Sequence, residues 1–238
     1  MNARPSEGEP PPNFEFEALR WAENYRRALI REFRPLLRGR VIEIGAGIGQ
    51  MTELLATIPS IERLLAIEPD PALCRQLAAN LPAQPLLQGT IASLDSAESW
   101  NAIVSVNVLE HIQDDERELV AYGNHLRAEK GHLCLFVPAR QEIYAPIDKD
   151  FGHYRRYSKP ELKGKLEAAG FDVVRLRYFN WVGYFAWWLS FCLLRKREFD
   201  PRHVAFFDRA IFPWVYSFET HCFAPPFGQS LIAVAQSR

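Results

Sequence analysis

RVIEIGAGIGQMTELLATIPSIERLLAIEPD, residues Arg40 to Asp70, decides the fold. Val41, Ile42 and Ile44 are β-branched and form a short apolar run, the pattern of a buried parallel strand. Gly45, Gly47 and Gly49 follow at once. Residues without a Cβ tolerate φ > 0, so the chain can turn sharply here and a ligand can touch its backbone. A helix is expected from Gln50, then a second strand over Leu64–Ile67 that ends on Glu68. An acidic side chain at that strand tip is placed to accept hydrogen bonds from two ribose hydroxyls.

The spacing of the glycines selects the ligand. A dinucleotide fingerprint is G-x-G-x-x-G. This loop is G-x-G-x-G, and Gln50 stands where the third glycine of the fingerprint would be. Glu43 also lies inside the first strand, two positions before Gly45. A carboxylate there repels a pyrophosphate at the helix N-terminus and attracts an ammonium or sulfonium group. E-I-G-A-G-I-G followed by E-P-D resembles the cofactor site of class I S-adenosylmethionine-dependent methyltransferases. N-V-L-E-H-I, Asn107 to Ile112, is a second resemblance to that family, at the end of an apolar strand Ala102–Val106.

The resemblance implies an α/β fold: a doubly wound, Rossmann-like, seven-stranded sheet whose last strand is antiparallel. It implies S-adenosylmethionine as cofactor, with S-adenosylhomocysteine as product. It carries cofactor contacts onto Glu43, Gly45, Ala46, Gly47 and Gly49, onto Glu68 and Pro69, and onto Asn107 and Val108. The family usually has an aspartate after the third strand to read the adenine amino group. Thr90 stands there, so backbone groups of Ile91 and Ala92 become the candidates for that end of the cofactor. Tyr25, in an A-x-N-Y element, resembles one that reaches over the methionine end; a plain core-covering helix fits the same pattern equally well.

Composition excludes little else. The chain has 238 residues, 48% hydrophobic and 24% charged, which is ordinary for a globular protein. The net charge of −1 gives no sign of a nucleic-acid partner. Cys74, Cys134, Cys192 and Cys222 form no C-x-x-C pair and read as free thiols, so no metal site is expected. No basic segment followed by an apolar run opens the chain, and a cytoplasmic location is expected, with peripheral membrane association as the variant. Residues 1–13 are polar and proline-rich and read as a disordered tail; residues 14–238 read as one domain.

Beyond the first unit, Phe14–Leu37 shows a helical apolar pattern. Pro71–Asn80 reads as a helix capped by Asp70, and Pro85–Gln88 as a third strand. Asp114–Leu126 reads as a helix, His132–Val137 as strand five, Ser158–Ala169 as a capped helix and Phe171–Phe179 as strand six. Strand seven is Ser230–Ala235.

Two segments are left to receive an acceptor. Residues 140–160 are expected as a loop at the carboxyl edge of strand five. It crowds together Asp148, His153, Tyr154, Arg155, Arg156 and Tyr157, a D-x-x-x-x-G-H-x-R-R-Y pattern similar to a loop in a bacterial group of these enzymes. An arginine fork suits carboxylate or phosphate. Histidine can take a proton from an acceptor hydroxyl, so His153 is the first candidate base and His111 the second; ion pairs that merely order the loop are the competing reading. Residues 180–229 form an aromatic insertion between strands six and seven, with Trp181 and Glu219 as candidate acceptor contacts. The apolar run Tyr178–Leu194, followed by Arg195-Lys196-Arg197, fits a pocket roof, a membrane contact or a dimer contact.

These features point to methyl transfer onto a small or amphipathic acceptor, by a monomer or homodimer. O-methylation of a hydroxyl or carboxylate comes first, and N- or C-methylation of a lipid-like or quinone acceptor second. An NAD-dependent oxidoreductase and a non-catalytic binding protein on the same sheet are the competing classes.

Overall fold

The computed structural model describes residues 20–238, so the expected tail at residues 1–13 lies outside the described residues. Seven strands form one sheet: β1 (Gly39–Ile44), β2 (Ile61–Glu68), β3 (Leu86–Gln88), β4 (Ala102–Val106), β5 (His132–Pro138), β6 (Phe171–Phe179) and β7 (Ser230–Ser237). Their order is β3-β2-β1-β4-β5-β7-β6. The first five pair in parallel, and β7 lies antiparallel to both β5 and β6. The chain runs outward from β1 to β3 and then restarts at β4, so the carboxyl ends of β1 and β4 flank the switch point where such sheets bind ligands.

The helices are α1 (Glu23–Phe33), α2 (Gln50–Leu55), α3 (Pro71–Asn80), α4 (Asp115–Leu126), α5 (Pro146–Asp150), α6 (Lys159–Ala168), α7 (Trp181–Trp187), α8 (Pro201–Phe206) and α9 (Phe212–His221). Strand side chains alternate between two faces. Ile42, Ile44, Leu133, Leu135 and Ala233 pack with Leu119 and Tyr122 of α4 and Leu162 and Leu166 of α6. Val41, Val104, Cys134, Phe136 and Val234 pack on the other face with Leu29 and Phe33 of α1 and Leu55 of α2. Glu43 follows the same alternation and shares the face of Val41.

Local chemistry accounts for the element boundaries. Asp70 caps α3 by accepting from the Ala72 and Leu73 amides, with Pro71 in the first turn. Ser158 and Glu161 form a reciprocal capping box at the start of α6. Gly45 sits at φ 67°, and a Cβ there would come within 2.4 Å of Val108 Cγ2. Only glycine lets the loop after β1 approach the loop after β4 so closely.

Of the helical pattern expected over Phe14–Leu37, residues 14–19 lie outside the described residues, and Glu23–Phe33 is helical. Two other expectations change. Residues 140–160 are not a plain loop: a 3-10 turn, Gln141–Ile143, and α5 lie inside them, stabilised by Pro146 in the first turn and the Asp148 carboxylate accepting from the Ala145 amide. The apolar run from Tyr178 is divided: Tyr178 and Phe179 finish β6, and Asn180 breaks the backbone at φ 60° before α7 begins. No described helix is long and apolar enough to cross a membrane.

The insertion folds back as a cap. α7 runs into a π-helical segment, Trp188–Leu193, and a second one, Phe207–Ile211, joins α8 to α9. Trp187 and Phe191 pack against Ile143, Ala145 and Ile147, so the segment after β5 and the insertion after β6 share one small core. Asp208 fastens the cap to the front of the domain. Its carboxylate accepts from the amides of Asn24 and Tyr25, both at 2.9 Å, and from the Asn24 side chain. These are orphan N–H groups of the first turn of α1, whose own preceding residue, Ala22, offers no side-chain cap. Asp208→Ala strands them beneath the cap. The expected cost is about 1–3 kcal/mol, read as a Tm lowered by ~2–4 °C for each kcal/mol in a chain of this size. An unchanged Tm would show that the cap is held by apolar packing alone.

Candidate active site

Two cavities, of about 580 and 550 Å³, lie beyond the carboxyl ends of the strands. Both are lined by Tyr25, Asn107, Phe136 and Phe151, so they adjoin. The first is built by the loops after β1, β2, β3 and β4. The second lies beneath the cap.

In the first cavity the Glu68 carboxylate is the organising group. One oxygen accepts from the Gly47 amide at 2.8 Å and the other from the Asp70 amide at 2.9 Å. The strand tip thereby holds the glycine loop in place. Burial raises the Glu68 carboxyl above its ordinary value, while these two amides oppose the rise. Each oxygen keeps a lone pair for a further donor. Glu43 lies beneath the same loop. Burial pushes its carboxyl up to about 8, and one of its oxygens has no hydrogen-bond partner among the described residues. A cationic ligand suits such a group, because its charge favours the ionised carboxylate that burial disfavours.

The lining of this cavity includes Tyr25, Glu43, Gly45, Ala46, Glu68 and Pro69, together with Thr90, Asn107, Val108 and His111. Gly47 contributes through its amide on Glu68, and Gly49, in the left-handed conformation, opens α2. Ile91 and Ala92 fall elsewhere. Ile91 is buried in the core and Ala92 is exposed, neither among the lining residues, because Thr90 starts a 3-10 turn that carries them away. Asn107 adopts φ 53°, a conformation asparagine tolerates better than most residues, with its amide on the Phe136 carbonyl. Burial around Tyr25 raises its hydroxyl above the ordinary range, so it stays protonated.

The second cavity is mostly apolar, with Phe136, Phe151, Trp187 and Phe191 in its wall. His153 also lines it. Its Nδ1 lies 3.0 Å from Asp148 Oδ1, and its Nε2, which makes no hydrogen bond among the described residues, is buried 3.9 Å from Glu110 Oε1. Burial alone would raise the Asp148 carboxyl, but His153 and Arg156 hold it below the usual value. An ionised Asp148 can only accept, so His153 Nδ1 donates to it. The His111 ring meets the His153 ring edge-on at 4.6 Å, and burial together with His153 lowers His111 to about 4. A group so reluctant to hold a proton is a poor general base.

The other expected acceptor contacts are spent inside the protein. Arg156 lines the cavity, but Nε and Nη2 bond Asp148, Nη1 bonds the Ala139 carbonyl, and the guanidinium lies 4.4 Å over the Trp187 ring. It positions Asp148 rather than offering a fork to an anion. Arg155 pairs with Asp115 at 2.8 Å and donates to the Gln113 carbonyl. The Tyr157 hydroxyl also donates to Asp115, at 2.8 Å, from the core, whereas Tyr154 projects into solvent. Glu219 accepts the amides of Asn180 and Trp181 and so anchors the start of α7. Tyr154, Arg155, Tyr157, Trp181, Glu219 and Asp148 itself lie outside the lining of the cavity.

Sequence reasoning missed Asn180, Gln229 and Ser230, which give the cavity further polar groups. Asn180 Nδ2 donates to Gln229 Oε1 at 2.9 Å, and its Oδ1 caps the Gly183 amide. The cap signal was present in N-W-V-G; Gly183 is required because a Cβ there would meet Asn180 Nδ2 at 2.1 Å. One grouping of ligand-type atoms occurs among the described residues: Glu110, His111 and His153 bring a carboxylate oxygen and two ring nitrogens within 4.8 Å of one another, a spacing into which a cation fits.

Comparison with known proteins places this site in a family. Residues 15–176 match the model of the methyltransferase domain. A malonyl-[acyl-carrier protein] O-methyltransferase of Acinetobacter baylyi is 26% identical over 149 residues, covering 62% of this chain and 57% of that protein. The match therefore spans little more than half of that relative's length. An S-adenosylmethionine-dependent methyltransferase of Thermotoga maritima, described as a possible histamine N-methyltransferase, superposes with a TM-score of 0.62 at 18% identity, covering 94% of each chain. An S-adenosylmethionine-dependent methyltransferase of Mesorhizobium loti gives 0.60 at 14% identity, covering 92% of this chain and 99% of its own.

The chain belongs to the class I S-adenosylmethionine-dependent methyltransferase family. The family match selects that cofactor over the nicotinamide dinucleotide that the same sheet could hold, in accord with the buried Glu43 under the glycine loop.

Glu43 gives a pH dependence. Its folded-state value of about 8 exceeds the ordinary 4.5, so between these the folded chain holds a proton that the unfolded chain has lost. Stability therefore falls as pH rises across that window. Tm measured against pH on the ligand-free protein is expected to decline less steeply in Glu43→Gln than in the wild type. Parallel curves would mean that Glu43 ionises normally.

Proposed function

We propose that the protein transfers the methyl group of S-adenosylmethionine to an oxygen, a hydroxyl or carboxylate, on an amphipathic acceptor. The observation that carries the reading is His153: it lines an apolar cavity with Nδ1 held by Asp148, while its Nε2 makes no hydrogen bond among the described residues and has the Glu110 carboxylate 3.9 Å away. The name of the Acinetobacter relative, an O-methyltransferase, supports the choice of oxygen.

The first cavity fits the cofactor. Glu68 would hold the ribose hydroxyls through its remaining lone pairs, Glu43 would face the cationic end, and Gly45 and Ala46 would offer backbone without obstruction. When bound, the cofactor supplies an activated methyl group on a sulfonium, whose departing sulfide needs no proton. The protein's own work is then alignment and proton removal. Phe136, Phe151 and Trp187 shape an apolar slot and exclude water around the acceptor. Asn107 and Tyr25 sit where the two cavities meet and limit how the reactants approach each other. Alignment of this kind contributes up to ~7–11 kcal/mol in favourable cases. His153 Nε2 takes the acceptor's proton, and Asp148 stabilises the imidazolium that forms. Arg156 keeps Asp148 ionised and in place.

The test is kinetic. With alkyl-substituted phenols and long-chain hydroxy acids as acceptor probes, His153→Gln is expected to lower kcat by ~10²–10⁴. Its thermal shift with S-adenosylhomocysteine should stay at the wild-type level, since His153 does not line the cofactor cavity. Wild-type turnover in His153→Gln would remove the proposed base.

A further inference from the structure

α7 and its π-helical continuation have two unlike faces. Gly183, Trp187 and Phe191 are buried, the last two against the segment after β5. The opposite stripe, Phe185, Trp188, Leu189 and Leu193, is 45–58% exposed. A second stripe runs along α8 and α9: Phe206 is 63% exposed, Trp214 78% and Phe218 49%. Single exposed apolar residues need no explanation, but a contiguous set does. Both stripes reach the acceptor cavity: Leu189 of the first, Phe206 of the second and the neighbouring Leu194 all line it while remaining exposed. The apolar surface therefore borders an opening of that cavity.

Its charge pattern identifies the occupant. Arg195 and Lys196 follow Leu194 directly, and Arg202 and Arg209 lie beside the second stripe. All four are exposed and in no ion pair among the described residues. Of the exposed acids nearby, Glu198 is set against them, and Asp200 caps α8 and faces His203. Asp208 and Glu219 are buried on backbone amides and do not face solvent. Tryptophan with a basic margin is the composition of a surface that lies in a lipid interface.

We propose that the cap docks on an anionic bilayer. Trp188 and Trp214 enter the interface, Arg195, Lys196, Arg202 and Arg209 contact the headgroups, and the cavity opening faces the acyl region. A second copy of the chain on the same stripes would cover that opening; a bilayer covers it with the medium from which an amphipathic acceptor partitions. That consequence for the acceptor rests on the methyl-transfer reading above, whereas docking does not, so the test measures docking without turnover.

The full chain, loaded with S-adenosylhomocysteine, is sedimented with vesicles of equal parts phosphatidylcholine and phosphatidylglycerol. It is expected to bind them at least about tenfold more tightly than vesicles of phosphatidylcholine alone. Leu193→Asp combined with Trp214→Asp is expected to weaken binding by at least about tenfold. Both side chains are exposed, so the variant's thermal shift with S-adenosylhomocysteine should match the wild type and show an intact fold. Absence of binding to the mixed vesicles, or equal binding by the folded variant, overturns docking. So does a wild-type dimer that the variant abolishes while neither protein binds vesicles. Docking that persists when no acceptor probe is methylated would leave the surface assigned and reject the acceptor reading alone.

Discussion

The buried carboxylate that accepts two backbone amides is the constraint from which both cavities follow. Glu68 takes the amides of Gly47 and Asp70 and so fixes the glycine loop against the tip of β2. Asp208 takes those of Asn24 and Tyr25 and ties the cap to α1. Glu219 takes those of Asn180 and Trp181 and sets the angle at which α7 leaves the sheet. In each case a loop or helix start would otherwise bury unsatisfied N–H groups, at a cost comparable to a lost hydrogen bond for each. A carboxylate satisfies two at once. Irregular backbone can thus be brought close enough to enclose a ligand.

Asp148 extends the same device toward chemistry. One oxygen accepts the Ala145 amide and anchors α5; the other meets His153 and Arg156. Loop structure and imidazole orientation are therefore coupled through one buried group. The price is that Arg156 is consumed: it lines the cavity without offering a free guanidinium, beside the neutral polar groups Asn107, Asn180, Gln229 and Ser230. A cavity of this composition favours an acceptor that is apolar over most of its surface and polar at the point of attack.

The sheet and the glycine loop beside the first cavity were legible in the sequence because their signals are local. Alternating and continuous apolar runs mark the strands, Asp70-Pro71 and Ser158-x-x-Glu161 mark helix starts, and Glu43, the glycines and Glu68 lie within one unit of β1, α2 and β2. The acceptor side was read less well because its partners are distant in sequence. Arg155 and Tyr157 look like ligand contacts until Asp115, on α4, is seen to hold them both. Glu219 looks like an acceptor contact until the Asn180 and Trp181 amides are seen to hold it, and no local signal ties Asp208 to the Asn24 and Tyr25 amides far away in sequence. Ile91 and Ala92 leave the lining of the first cavity because Thr90 and Ser93 box a 3-10 turn around them, a weaker signal than the Ser158-x-x-Glu161 box. The extent of α7 was obscured because β6 ends and the helix begins inside one unbroken apolar run.

The atom that receives the methyl group tests the account most directly. Carbon-13-methyl S-adenosylmethionine and an alkylphenol probe, followed by a carbon–proton correlation spectrum of the purified product, locate the label without reference to rate. The geometry around His153 predicts a methoxy signal, from label bound to oxygen. Label bound to nitrogen or ring carbon in acceptors that offer those atoms beside a free hydroxyl would contradict it.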